Sequence, residues 1–196
     1  GAIGLEVMVE TPQSLFNAAG EFVLPKLRAA ANGRLRSAHL GAYDFTAACD
    51  VSSSHQSMRH ALCDFARQLM SVAFAGTDVN LSDGATNVLP VVPHRTPQLS
   101  PEQMAENRTA VFSSWRLAAD DIKHSLVSGY FQGWDLHPAQ LPVRYAVTYG
   151  FFLENLVAMS QRLRNFVDRS CRASTIGNVF DDAATGQGLL NFFLRG

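Results

Sequence analysis

The sequence predicts an α/β protein with a parallel sheet: four strand–helix units that together make half of a (β/α)8 barrel. Short apolar or alternating segments recur along the chain with helix-patterned stretches between them, and those stretches are long enough to carry crossovers between parallel strands. The chain has 196 residues and four such units, whereas a whole barrel takes about 250 residues and eight units. The expected organisation is residues 1–136 as the C-terminal half of a barrel and residues 137–196 as a long final helix with a C-terminal helical extension.

The first unit opens at Ile3–Glu10, where Leu5, Val7 and Val9 share one face and Glu6, Met8 and Glu10 the other, as a period of two requires. Thr11-Pro12 ends that strand. Leu15, Phe16, Ala18, Ala19, Phe22, Val23, Leu27 and Ala30 then recur at helical spacing, interrupted by Gly20 and Pro25. The second unit is a strand from Ser37 to Tyr43 and a helix from Gln56 to Phe74, with an apolar stripe on Met58, Ala61, Leu62, Phe65, Leu69, Val72 and Ala73. The third has a strand at Asp78–Leu81. Its helix starts at Ser100-Pro101-Glu102-Gln103, a capping Ser with Pro at the first helical position and Gln three residues after the cap, and runs to Leu126. The fourth strand is Tyr130–Leu136, and Pro138 opens a helix carrying Leu141, Tyr145, Tyr149, Phe152, Leu156, Met159, Leu163 and Phe166. Arg169–Gln187 is small and polar and reads as a loop before a last apolar piece, Leu189–Leu194.

Composition excludes several functions. Sixteen Lys plus Arg against 17 Asp plus Glu leave a net charge of −1 with no basic cluster, so nothing marks a nucleic-acid or anionic-membrane partner. Every apolar run is interrupted by charge well short of a membrane span, and the N-terminus lacks a signal-peptide pattern. Cys49, Cys63 and Cys171 are odd in number and widely spaced, which suits a reducing, cytoplasmic setting. His39, His55, His60, His94 and His124 show no metal-ligand spacing. Neither a GxGxxG, a Walker sequence nor a GxSxG elbow is present.

Barrel enzymes collect their chemistry at the C-terminal ends of the strands. Here those positions hold Glu10, Asp44, Asp83 and His137. Glu10 and Asp44 are hard oxygen donors at the ends of neighbouring strands, and two carboxylates completed by water and substrate oxygens make a Mg²⁺ site. Each residue also has a plainer role open to it. Glu10 suits a helix cap and Asp44 an Asx turn. Asp83 fits a loop cap as well as a substrate contact, while His137 before Pro138 suits a backbone hydrogen bond and Asp50 a support to the metal ligands or no role at all.

These residues carry a resemblance. Val7-Met8-Val9-Glu10-Thr11-Pro12 and Leu40-Gly41-Ala42-Tyr43-Asp44-Phe45-Thr46-Ala47 resemble two successive strand ends of the HpcH/HpaI aldolase and citrate lyase β-subunit family. Asp83-Gly84 and Gly129…Gly133…His137-Pro138-Ala139-Gln140 resemble its later motifs in the same order, with Trp134-Asp135 standing where the family commonly has a Lys–aromatic pair. The resemblance implies the last four units of a pyruvate-binding barrel. It implies a carbon–carbon lyase or aldolase acting on a 2-oxo acid or acyl-CoA-type thioester through an enolate stabilised by Mg²⁺ or Mn²⁺, with Glu10 and Asp44 as ligands and Asp83, Gly41, Ala42 and Pro12 near the substrate. His137 and Asp50 are expected as structural or supporting residues, and no catalytic acid or base is assigned. The aromatic face of the helix from Tyr145 to Phe166 is expected to pack on another subunit in a homo-oligomer. The alternative is a non-catalytic barrel subunit that needs a partner chain for its first half.

Overall fold

The computed structural model describes residues 3–168, 174–176 and 179–195, which form two compact units, 1–144 and 145–196. The first contains a four-stranded parallel sheet in the order β1 (Leu5–Val9), β2 (Leu35–Leu40), β3 (Asn80–Asp83), β4 (Gln132–Gly133). The mixed α/β class and the parallel sheet are as the alternation predicts. The connections are α1 (Pro12–Leu15) with α2 (Leu24–Ala30), α3 (Ala42–Ala48) with α4 (Ala61–Phe74), and α5 (Pro101–Val127).

The helix-facing side of the sheet builds the core. Val9, Ala38 and Leu40 are fully buried, with Leu15 from α1, Leu24 from α2, Phe45 from α3, and Ala66 and Met70 from α4. The opposite side keeps the alternation read from the sequence, Glu6 and Met8 being exposed on β1.

Several expected elements differ. The strand placed at Ser37–Tyr43 ends at Leu40, because Gly41 turns the chain (φ −84°, ψ 79°) into a helix. The Thr46 hydroxyl then donates to the carbonyls of Ala42 and Tyr43, and Phe45 enters the core. The next helix begins at Ala61 rather than Gln56, with the His60 ring accepting the Leu62 N–H as cap. Its inward stripe is Cys63, Ala66, Arg67, Met70 and Phe74, while Phe65 and Val72 of the expected stripe are exposed. An arginine on the buried face hides the true phase of the pattern. The fourth strand shrinks to Gln132–Gly133, since Tyr130 is turned into the core with its hydroxyl donating to the Arg67 carbonyl.

The second unit contains most of α6 (Leu141–Asp168), an antiparallel hairpin of β5 (Ser174–Ile176) and β6 (Val179–Asp181), and α7 (Ala183–Phe193). Arg169–Gln187 is therefore not a simple loop. Asp182 caps α7 by accepting the Thr185 N–H, a signal obscured by the small residues around it. Arg169–Ala173, with Cys171, lie outside the described residues. Within this unit Phe152 packs on Phe192, and a Cβ on Gly186 would fall 2.7 Å from the Phe166 ring.

Candidate functional site

The ladder pairs Val9 with Leu40, so Glu10 and Gly41 leave β1 and β2 side by side, and the Gly41 N–H donates to the Val9 carbonyl. A Cβ on Gly41 would lie 2.7 Å from Cβ of Glu10 and 3.2 Å from its Oε2. The glycine is thus required by close approach: the Glu10 side chain occupies the space a larger residue would need. Three residues on, in the first turn of α3, stands the exposed Asp44. Pro12 opens α1 beside Glu10, and the buried Ala42 opens α3. Glu10, Pro12, Gly41, Ala42 and Asp44 therefore gather at the C-terminal edges of two adjacent strands.

Among the described residues, no hydrogen bond or ion pair engages the carboxylates of Glu10 and Asp44, and no three His, Cys, Asp or Glu side chains form a metal-sized group. Two carboxylates with room for further oxygens fit a hard cation such as Mg²⁺, which keeps several waters, better than they fit zinc.

Asp83 lies elsewhere. It is the residue after Ser82, which pairs with His39, and its side chain turns to the helix side of the sheet, where it is 1% exposed. Arg67 Nε and Ser125 Oγ donate to its Oδ2 at 2.9 and 2.6 Å, and the Gly84 N–H donates to Oδ1. Burial pulls the Arg67 guanidinium downward, but the Asp83 carboxylate outweighs this and its pKa is raised. The carboxylate is occupied by the protein and joins β3, α4 and α5.

The His137-Pro138-Ala139-Gln140 motif resolves into a reciprocal cap. His137 Nδ1 accepts the Ala139 N–H, and Gln140 Oε1 accepts the N–H groups of Leu136 and His137. Gln140, 1% exposed, donates in turn to the Thr86 carbonyl. Asp50 follows α3 in the left-handed region (φ 61°) and is exposed, a conformation that Asp tolerates at a helix end.

Two features escape sequence reading. The long segment 84–99 between β3 and α5 is tied down at Thr86 to Asp121, at Asn87 to the Tyr43 hydroxyl, at Leu89 to Ser114 and at His94 to Asn107. Burial pushes the Tyr43 phenol up to about 12 and raises Asp121, which Thr86 and Arg59 oppose by hydrogen bonding and charge. The second feature is a row of polar side chains on the side of the sheet away from the core. Ser37 donates to Glu6, and His39 Nδ1 is 2.9 Å from Ser82 Oγ beneath the Trp134 indole, which stacks on it at 3.9 Å and 23°. Burial lowers the His39 pKa against the opposing pull of Glu6 and Asp83. No spacing rule links residues 39, 82 and 134; the ladder does.

A parallel sheet flanked by helices is a fold shared with two solved structures of citrate lyase proteins. A citrate lyase structure from Burkholderia xenovorans matches with a TM-score of 0.67 at 16% identity, over 100% of this chain and 53% of that one. CitE from Mycobacterium tuberculosis, in complex with magnesium, acetoacetate and coenzyme A, matches at 0.64 and 17% identity, over 98% of this chain and 60% of that one. The chain thus spans little more than half the length of these structures, and at such identity the likeness establishes the fold alone. No curated protein matches the sequence. The chain belongs to the DUF6986 family, a domain of unknown function whose profile matches residues 1–196.

Proposed function

We propose that this chain is the C-terminal half of a (β/α)8 barrel and carries the cation-binding edge of a Mg²⁺- or Mn²⁺-dependent carbon–carbon lyase or aldolase acting on a 2-oxo acid or an acyl thioester. The observation that supports this best is the placing of Glu10 over Gly41 with Asp44 one helical turn beyond, both carboxylates at the C-terminal edge of adjacent parallel strands. Glu10 and Asp44 would hold the cation, while Gly41, Ala42 and Pro12 leave space and backbone around it. When bound, a divalent cation supplies the positive charge that stabilises an enolate as the carbon–carbon bond breaks. Glu10 and Asp44 set the position of that charge; Gly41 keeps the Glu10 carboxylate at the strand end. The magnesium, acetoacetate and coenzyme A of the CitE complex are compatible with this substrate class.

A second reading is favoured by one observation: the sheet side bearing Glu6 and Met8 is exposed. On this reading the chain is a non-catalytic barrel subunit whose first half comes from a partner. In the first reading the chain forms a homo-oligomer through the exposed face of α6. Calorimetric titration with Mg²⁺ tests the shared core of both: Glu10→Gln and Asp44→Asn should each weaken binding severely, and unchanged affinity in both would remove the cation assignment. Turnover of 2-oxo-4-hydroxy acids or short malyl-type thioesters, abolished by chelation, separates the enzyme from the non-catalytic subunit.

A further inference from the structure

We infer that Trp134 is the floor of the ligand site and selects acids with an apolar substituent over acids carrying a second carboxylate; this deepens the reading above and rests on it. Trp134 directly follows β4, and its N–H donates to the Asp83 carbonyl, extending the ladder by one step. Its ring does not project away from the sheet. It lies flat on the His39 imidazole, with centroids 3.9 Å apart and ring planes 23° apart, and the buried His39 pairs with Met8 on β1 and Ser82 on β3.

His39 is the last residue but one of β2 and stands two residues before Gly41, so the imidazole that carries the indole lies about 7 Å along the chain from the Glu10–Gly41 crossing. That is the reach of a short acid whose oxygens are held by a cation at Glu10 and Asp44. The indole is held in place from behind and from the side. His39 supports one face, Arg144 Nη2 donates to the Trp134 carbonyl at 2.9 Å, and Arg144 Nε donates to Asp135 at 2.6 Å. A cradle on Gly133 is set by the same arginine, since a Cβ there would meet Arg144 Nη1 at 3.2 Å. Trp134 is 48% exposed in this chain, on the sheet side that would face the interior of the proposed barrel. A rigid aromatic ring with one face covered and the other open is preorganised to receive a ligand, because little side-chain freedom is lost on binding.

The chemistry of that open face sets the selectivity. The face of an aromatic ring carries the negative lobe of its quadrupole, which attracts C–H groups and other ring edges and repels anions. Burial lowers the His39 pKa and so disfavours the imidazolium charge that would offset this. A 2-oxo acid with an alkyl or aryl substituent can rest on the indole. One with a distal carboxylate, such as oxaloacetate or 2-oxoglutarate, would set a charge against it.

The test follows ligand binding by the fluorescence of the Mg²⁺-loaded protein, using phenylpyruvate, 2-oxoisocaproate, oxaloacetate and 2-oxoglutarate as probes. The inference expects the two apolar acids to change the emission and to bind roughly fivefold to tenfold more tightly than the dicarboxylates. Trp134→Phe should keep that order and lose the emission change, because Trp115 is then the remaining indole. Trp134→Ala should lose the order while keeping Mg²⁺ affinity, and thermal melts of both variants show which remain folded. Equal or tighter binding of the dicarboxylates, or an emission change that persists in Trp134→Phe, overturns the inference while leaving the cation site standing. Absence of Mg²⁺ binding in the parent protein overturns the functional reading and the inference with it.

Discussion

Replacing Arg67 with Met asks whether Asp83 is a structural anchor. Both side chains are almost fully buried, 3% and 1% exposed, and the guanidinium reaches Asp83 Oδ2 at 2.9 Å, Asp64 Oδ1 at 2.9 Å and the Met58 carbonyl at 2.6 Å. Arg67→Met keeps most of the apolar stem but strands the Asp83 carboxylate without its cation and the Met58 carbonyl without its donor. Breaking a buried pair from one side costs about 3–5 kcal/mol. Asp83 keeps Ser125 Oγ and the Gly84 N–H, which places the expected loss near the lower end, about 3 kcal/mol. Measured by urea unfolding with circular dichroism, that loss moves the midpoint by at least about 1 M. Raising salt to about 1 M should leave the effect intact, because water and ions do not reach the pair. The double variant Arg67→Met with Asp83→Leu should recover much of the loss, since it leaves no unpaired charge. A single-variant loss under about 0.5 kcal/mol would refute the reasoning and return Asp83 to the candidates for substrate contact.

Three further predictions follow from the same geometry. Gly41→Ala should displace Glu10, whose Cβ lies 2.7 Å from the added methyl, and weaken Mg²⁺ binding in calorimetry by roughly tenfold or more; φ at −84° suits alanine, but the overlap should still destabilise the fold by about 1–3 kcal/mol in denaturant melts. Gln140→Ala removes the acceptor for two N–H groups and the donor to Thr86, and should destabilise the protein by about 2–4 kcal/mol in denaturant melts. His39 has its pKa lowered by burial from an ordinary value of 6.5, so the unfolded chain binds its proton first. The stability this group contributes is therefore complete above that value and lost as pH falls through it toward the folded value, and His39→Gln should flatten the loss of stability between neutral and mildly acid pH; an unchanged slope would count against burial as the cause.

The strand–helix alternation, the facing of β1 and the capping box of α5 were legible because each rests on residues close together in sequence. Leu5, Val7 and Val9 declare their face by period alone, and Ser100 and Gln103 cap each other across three positions. The neighbouring ends of β1 and β2, which carry Glu10 and Gly41, were legible because parallel neighbours joined by a crossover bring successive strand ends together. The phase of α4 was not legible, since Arg67 on its buried face looks like a surface residue until Asp83 is seen beneath it. The side on which Asp83 points was hidden by where β3 ends: a shift of two residues from the expected strand makes it the last rung rather than part of the loop, on the face opposite His39 and Ser82. The stack of Trp134 on His39 joins residues 95 positions apart through ladder register and ring packing. Local sequence determines which elements form and which chemical groups stand at their ends; only the tertiary structure decides which of those groups are consumed by partners inside the protein and which stay open to a ligand, because that depends on burial and register across the sheet.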